Sequence, residues 1–400
     1  MVTLAADRLR RLDSFLARYV DDGRLPGWQL AITAGDDLAH FSSYGQRDVE
    51  AGLPVADDTI FRIYSMTKPI TSVAAMRLWE RGEFMLNEPV AKYLPAFGAS
   101  RVWRGGSSLK PLTGPVTEPM RIWHLLTHTS GLTYGFLRAH VVDELYRNVG
   151  FELTMPDGDL ATIVDQLATL PLLFQPGAEW NYGMSTDVLG RLVEVIAGKP
   201  LADVIADEVL DPLGMTDTAW YVTADTADRL AALYVPNPFD DGKAVRYDDL
   251  GKFASMEPQA TMGGGGLVGT TADYVRFTQM LRRRGRMDSG EQLLSPETVD
   301  YMASNHLPGN ADLTAYGRPL FAETTFDGTG FGLGFSVAMD PVAAKVPYST
   351  GEFGWGGAAS TTFWVDPKLD MTVVFMTQLL PSDTHPIRVQ LRQLVKAAVR

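Results

Sequence analysis

The 400-residue chain carries 35 Lys and Arg against 48 Asp and Glu, a formal charge of −13, and has room for about two to three folding units of roughly 150 residues. Hydrophobic residues at 46% and charged residues at 21% describe a globular chain, and the acidic balance excludes nucleic acid as the main partner, since counterion release needs clustered Lys and Arg. There is no cysteine, which removes disulfides, thiolate metal sites and a cysteine nucleophile together.

Leu12, Phe15, Leu16 and Tyr19 recur at helical spacing and predict an N-terminal helix with one packed face. Charges at Asp7, Arg8, Arg10, Arg11 and Asp13 interrupt any apolar run, so no export signal is expected. No window approaches the ~20 apolar residues of a membrane span. A cytoplasmic protein without a membrane span is the expectation. Residues 28–34 and 38–44 flank the turn Gly35-Asp36-Asp37 and predict a hairpin. A strand over 60–64 leads into a helix over 71–80. The Gly- and Pro-rich stretch 98–119 reads as a long loop.

Helices follow over 161–170, 185–197 (stopped by Gly198) and 201–211. The glycine run 263–266 marks a return to a sheet, and 328–334 reads as a turn entering a strand. A second hairpin is predicted from 361–365 and 371–378. A last helix, capped by Asp383, carries Ile387, Leu391, Leu394, Val395 and Ala398 on one stripe. The expected class is therefore α/β (α+β): an antiparallel sheet flanked by terminal helices, with a mostly helical domain inserted. Residues 1–75 and 260–400 form the sheet domain and 76–259 the helical one, with the site in the cleft between them.

Three motifs carry chemistry. Ser65-Met66-Thr67-Lys68 is an S-x-x-K pattern at a strand-to-helix junction, where a desolvated Lys can activate a Ser hydroxyl and helix N–H groups favour developing negative charge. Tyr182, in the turn Asn181-Tyr182-Gly183, can point its hydroxyl into a cleft, and a neighbouring cationic Lys would make its proton easier to lose. Trp355-Gly356-Gly357-Ala358 leads into a strand; glycines beside a strand edge let a substrate approach, and the Ala358 N–H is a candidate second oxyanion donor beside that of Ser65. Tyr134, Phe136 and Phe331 are the aromatics chosen for an acyl pocket. His124 and His128 stand at zinc-ligand spacing, but no Glu follows His124 and no third ligand is evident, so no metal and no cofactor are expected.

Together these motifs resemble the serine β-lactamase and penicillin-binding-protein superfamily, and within it the class C branch, the family VIII carboxylesterases and related acyltransferases. The resemblance spans nearly the whole chain: 61–69 (FRIYSMTKP), 124–132 (HLLTHTSGL), Gln175-Pro176-Gly177 leading to Tyr182, 211–215 (DPLGM) and Trp355-Gly356-Gly357. It implies Ser65 as the acylated nucleophile, Lys68 as its base and Tyr182 as the group that passes the proton to the leaving group.

Two departures matter. Tyr182-Gly183-Met184 lacks the Asn of Tyr-x-Asn, and Trp355-Gly356-Gly357 replaces Lys-Thr-Gly. The missing Lys would hold the carboxylate of β-lactams, and its loss costs such a substrate roughly 1.5–3 kcal/mol. The resemblance thus implies a serine carboxylesterase acting on short- to medium-chain esters of small molecules. Beside it stand an acyltransferase using the same acyl-enzyme, a class C-like β-lactamase or D-alanyl peptidase, and a non-catalytic binding protein on the same fold.

Overall fold

The computed structural model describes residues 2–152, 155–318 and 321–400. The chain reaches one antiparallel eight-stranded sheet from both ends. Its strands are β1 (Gly27–Ala34), β2 (Asp37–Asp48), β3 (Leu53–Pro54), β4 (Thr329–Phe331), β5 (Ser336–Ala338), β6 (Phe353–Gly356), β7 (Thr362–Asp366) and β8 (Met371–Thr377). Their spatial order is β4-β5-β6-β7-β8-β1-β2-β3, so β8 pairs with β1, Trp28 facing Thr377 and Ala34 facing Met371.

All eight residues of β1 are buried because both faces of the sheet are covered. The two-residue period sorts them: Trp28, Leu30 and Ile32 join Met371, Val373 and Phe375 in one core, whereas Ala31, Val374 and Met376 belong to a second. The first core is closed by α1 (Ala6–Asp21), through Leu9, Leu12, Leu16 and Tyr19, and by the final helix, Ile387–Ala398, through Ile387, Leu391, Val395 and Ala398. The second core lies under α2 (Thr67–Glu80), α3 (Ser185–Ala197) and α4 (Thr271–Arg282); α2 packs on α3, and α4 lies across β8, β7 and β1. The final helix is α5.

Four expectations are corrected. Residues 98–119 are not one loop but contain a hairpin, Arg101–Ser107 with Lys110–Pro115; Gly105 and Gly106 break its alternation with positive φ angles and a bulge after Trp103. Asp383 does not cap the last helix, which starts four residues later with Pro386 as the flanking residue and no side-chain cap. The run 201–211 holds a π-turn, Ala206–Leu210, between α-helical pieces. The strand before Ser65 is Ile60–Arg62, shorter than 60–64, because Tyr64 takes a left-handed φ of 44° and turns the chain.

Candidate active site

The segment that delivers Ser65 is anchored on both sides. Strand Ile60–Arg62 pairs with Val268–Thr270, and a 3₁₀ turn, Tyr64–Met66, then feeds α2. Ser65 and Lys68 stand three residues apart across the junction of this turn with α2, a spacing that puts helical side chains on one face. Lys68 Nζ accordingly donates to Ser65 Oγ at 3.2 Å. Pro69, the third residue of α2, sits where an amide has no helical acceptor to lose.

Tyr182 arrives on the turn that precedes α3. Its hydroxyl donates to Ser65 Oγ at 2.6 Å. The backbone that presents it lies on the 128–133 segment: the Asn181 N–H donates to the His128 carbonyl (2.9 Å), and Asn181 Nδ2 to that of Leu132 (3.2 Å). Gly183 passes so close to Leu132 and Thr133 that a Cβ there would lie 2.7 Å from the Thr133 Cα. The 124–132 motif is thus the bed for the Tyr182 turn.

Ser65 is 9% exposed, while Lys68 and Tyr182 are each 2% exposed. Burial pulls the Lys68 ammonium down to about 8, against the opposing pull of the Asp187 and Glu323 carboxylates. Among the described residues Lys68 has no ion-pair partner; its second hydrogen bond goes to the Gly264 carbonyl at 2.5 Å, and its ammonium lies 4.7 Å from the Tyr182 ring centroid. The Gly264 N–H in turn donates to Asp187 Oδ1 at 2.8 Å, so a buried carboxylate and Lys68 are held by the two backbone groups of one residue. The Tyr182 phenol is pushed up well above its ordinary value, first by burial and next by Glu323, so the expected easing of its proton loss does not occur. His128 is buried against Tyr182 and Phe331, and burial, then Lys68, keep its imidazole neutral.

The third motif closes the site. Trp355, on β6, packs on Tyr182 with ring centroids 5.4 Å apart, and its Nε1–H has no acceptor among the described residues. Ala358 lies just past β6, and its N–H, like that of Ser65, goes to no carbonyl or side chain among the described residues. A Cβ on Gly357 would collide with the Ile63 carbonyl, so this peptide abuts the turn carrying Ser65. On the side where an L side chain would project, Gly356 and Gly357 meet protein, the Arg388 guanidinium and the Ile63 carbonyl.

Of the chosen aromatics, Tyr134 lies against Tyr182 at 5.4 Å, and Phe136 stacks on Tyr134 at the half-buried rim, facing Phe321. Phe331 is enclosed by His128, Trp180 and Trp355 at 1% exposure, so it backs the site. His124 Nδ1 accepts from the Arg121 N–H, and His128 Nδ1 has no partner among the described residues. Asp187, Gly264, Glu323 and Arg388 were missed. Two of them left a sequence signal: Asp187 is an acid among the buried positions Thr186, Val188 and Leu189 of α3, and Gly264 lies in the glycine run 263–266.

Residues 12–397 match the family described as Beta-lactamase. The chain belongs to the β-lactamase family. It is 37% identical to Protein Rv1367c of Mycobacterium tuberculosis over 90% of this chain and 88% of that one. It is 33% identical to Esterase EstB of Burkholderia gladioli, over 98% and 96% of the two chains. Among solved structures, EstCE1, a hydrolase with promiscuous acyltransferase activity, superposes with a TM-score of 0.81 at 28% identity, covering 97% of this chain and 98% of that one. The protein is a serine hydrolase of the β-lactamase fold. No helix among the described residues is long and apolar enough to cross a membrane.

Proposed function

We propose that the protein is a carboxylesterase that acylates Ser65 with short- to medium-chain acyl groups. The observation that carries this reading is the convergence of Lys68 Nζ and the Tyr182 hydroxyl on Ser65 Oγ, at 3.2 and 2.6 Å, beside an uncharged Trp355. Neutral Lys68 takes the Ser65 proton as Oγ attacks the ester carbonyl. The carbonyl oxygen becomes an oxyanion between the Ser65 and Ala358 N–H groups. Tyr182, held in its protonated form, gives its proton to the departing alkoxide and regains one from Lys68. A water molecule then repeats the sequence on the acyl-enzyme, releasing the acid and free Ser65.

The deciding experiment compares kcat/KM for p-nitrophenyl butyrate with that for a chromogenic cephalosporin. A ratio far above one is expected, and Ser65→Ala should abolish ester cleavage. A ratio below one would transfer the site to lactam chemistry, and activity retained in Ser65→Ala would remove Ser65 from the reaction. Acyl transfer is the second reading, favoured by the depth of Ser65: an alcohol that fills the aromatic rim of Tyr134 and Phe136 excludes water from the acyl-enzyme. Adding such an alcohol would then yield the exchanged ester at the expense of the acid.

A further inference from the structure

We infer that Arg388 is a positioning residue for the oxyanion site, gripping the 357–361 turn from behind the sheet so that the Ala358 N–H faces Ser65. This rests on the proposed role of that N–H as an oxyanion donor. Arg388 is the second residue of α5, and its Nη2 donates to two carbonyls, of Gly357 at 2.7 Å and of Thr361 at 2.8 Å. The Thr361 carbonyl also accepts the Gly357 N–H at 2.9 Å, so one guanidinium closes both ends of the turn.

The consequence follows from peptide geometry. The Gly357 C=O and the Ala358 N–H are opposite ends of one planar trans unit. Holding the oxygen on the α5 side therefore turns the N–H to the other side, where the neighbouring Ile63 carbonyl marks the approach to Ser65. A cation on the carbonyl oxygen also polarises the unit and strengthens the N–H as a donor. Gly356 makes the arrangement possible, because a Cβ there would lie 2.5 Å from Arg388 Cζ.

The guanidinium is itself held. Glu323, with its side chain 1% exposed, pairs with Arg388 Nη1 at 2.7 Å and accepts from the Ser382 hydroxyl at 2.9 Å. A buried charge pair of this kind leans on further hydrogen bonds, and the two carbonyls of the turn and the Ser382 hydroxyl supply part of them, Arg388 Nε and Glu323 Oε1 having no partner among the described residues. With Nη2 on two carbonyls and Nη1 on a carboxylate, Arg388 acts on substrate through Ala358 and not by touching it.

The test measures Arg388→Ala and Arg388→Lys in the full-length protein with p-nitrophenyl butyrate and its thiono analogue, whose sulfur is a poor acceptor for oxyanion N–H donors. Wild type should prefer the oxygen ester strongly; equal rates on the two esters would remove the oxyanion reading of Ala358 itself. Given that preference, Arg388→Ala should lose about 10- to 100-fold in kcat with KM within about threefold, and its oxygen-to-thiono ratio should collapse. Arg388→Lys should fall between, and low-millimolar ethylguanidinium should restore part of the Arg388→Ala rate. A folded variant with wild-type kcat and an unchanged ratio would overturn the inference. Should Arg388→Ala not fold, Arg388→Lys and Glu323→Gln carry the same ratio test, and an unchanged ratio in both would overturn it equally.

Discussion

Lys68 sets the pH at which Ser65 can react. Its ammonium is buried and drawn down to about 8, so at pH 7 roughly a tenth of the molecules hold the neutral amine that accepts a proton. The expected profile of kcat/KM therefore rises with pH and levels off above about 8. Asp187 favours the charged form of Lys68, so Asp187→Asn should move that rise to lower pH, and the acid Oδ1 that Gly264 binds is replaced by an amide oxygen of the same shape. Steady-state kinetics from pH 5 to 9 on both proteins checks this, and an unmoved acid limb would detach Asp187 from Lys68. Ser65, Lys68 and Tyr182 were legible because the first pair stands at fixed spacing and the third in a recognisable turn. Their electrostatics were not: adjacency to a cation predicted an easier Tyr182 proton, but burial and Glu323, brought in from elsewhere in the chain, outweigh it.

At the scale of elements, glycines divide into those that shape a turn and those that leave room for chemistry. Gly198 is the first kind: it ends α3 at φ 67° with nothing within 4 Å of where a Cβ would stand, as its place after the apolar stripe predicted. Gly264 is the second, since a Cβ there would meet the Asp187 carboxylate at 2.6 Å, and moving that backbone would displace the carbonyl that holds Lys68. Gly198→Ala should cost about 1 kcal/mol of stability and leave kcat alone. Gly264→Ala should lower kcat by more than about tenfold, since a misplaced catalytic group is costly even over small distances. Thermal melting and kcat measured on both variants separate the two kinds. The sequence showed the run 263–266 but not this distinction, which depends on α3 arriving beside it. Periodicity exposed α1, α3 and the terminal hairpins; it missed the 101–115 hairpin because Gly105, Gly106 and a bulge break its alternation.

Over the whole molecule, the sheet that pairs β8 with β1 brings the C-terminal helix behind the strand bearing Trp355, and that is how a residue near the end of the chain comes to grip the oxyanion turn. The sheet between terminal helices was readable from alternation at both ends; which side chain of the last helix would reach Gly357 was not, because it depends on the packing of α5 against α1. The net charge of −13 acts on this same scale. Around the site Lys68 is buried, Arg388 is paired with Glu323, and Trp355 is neutral, so no free cation among these residues offsets the overall field for an arriving anion. A neutral ester feels little of that field, whereas an anionic one is repelled until salt screens it. Raising ionic strength from about 0.01 to 0.15 M shortens the screening length from about 30 to 8 Å. Over that range kcat/KM for p-nitrophenyl butyrate should stay flat, and that for the mono-p-nitrophenyl ester of succinic acid should climb. A succinyl ester cleaved fastest at low salt would instead reveal a local positive patch at the cleft mouth strong enough to reverse the net charge, and with it a preference for acidic acyl groups.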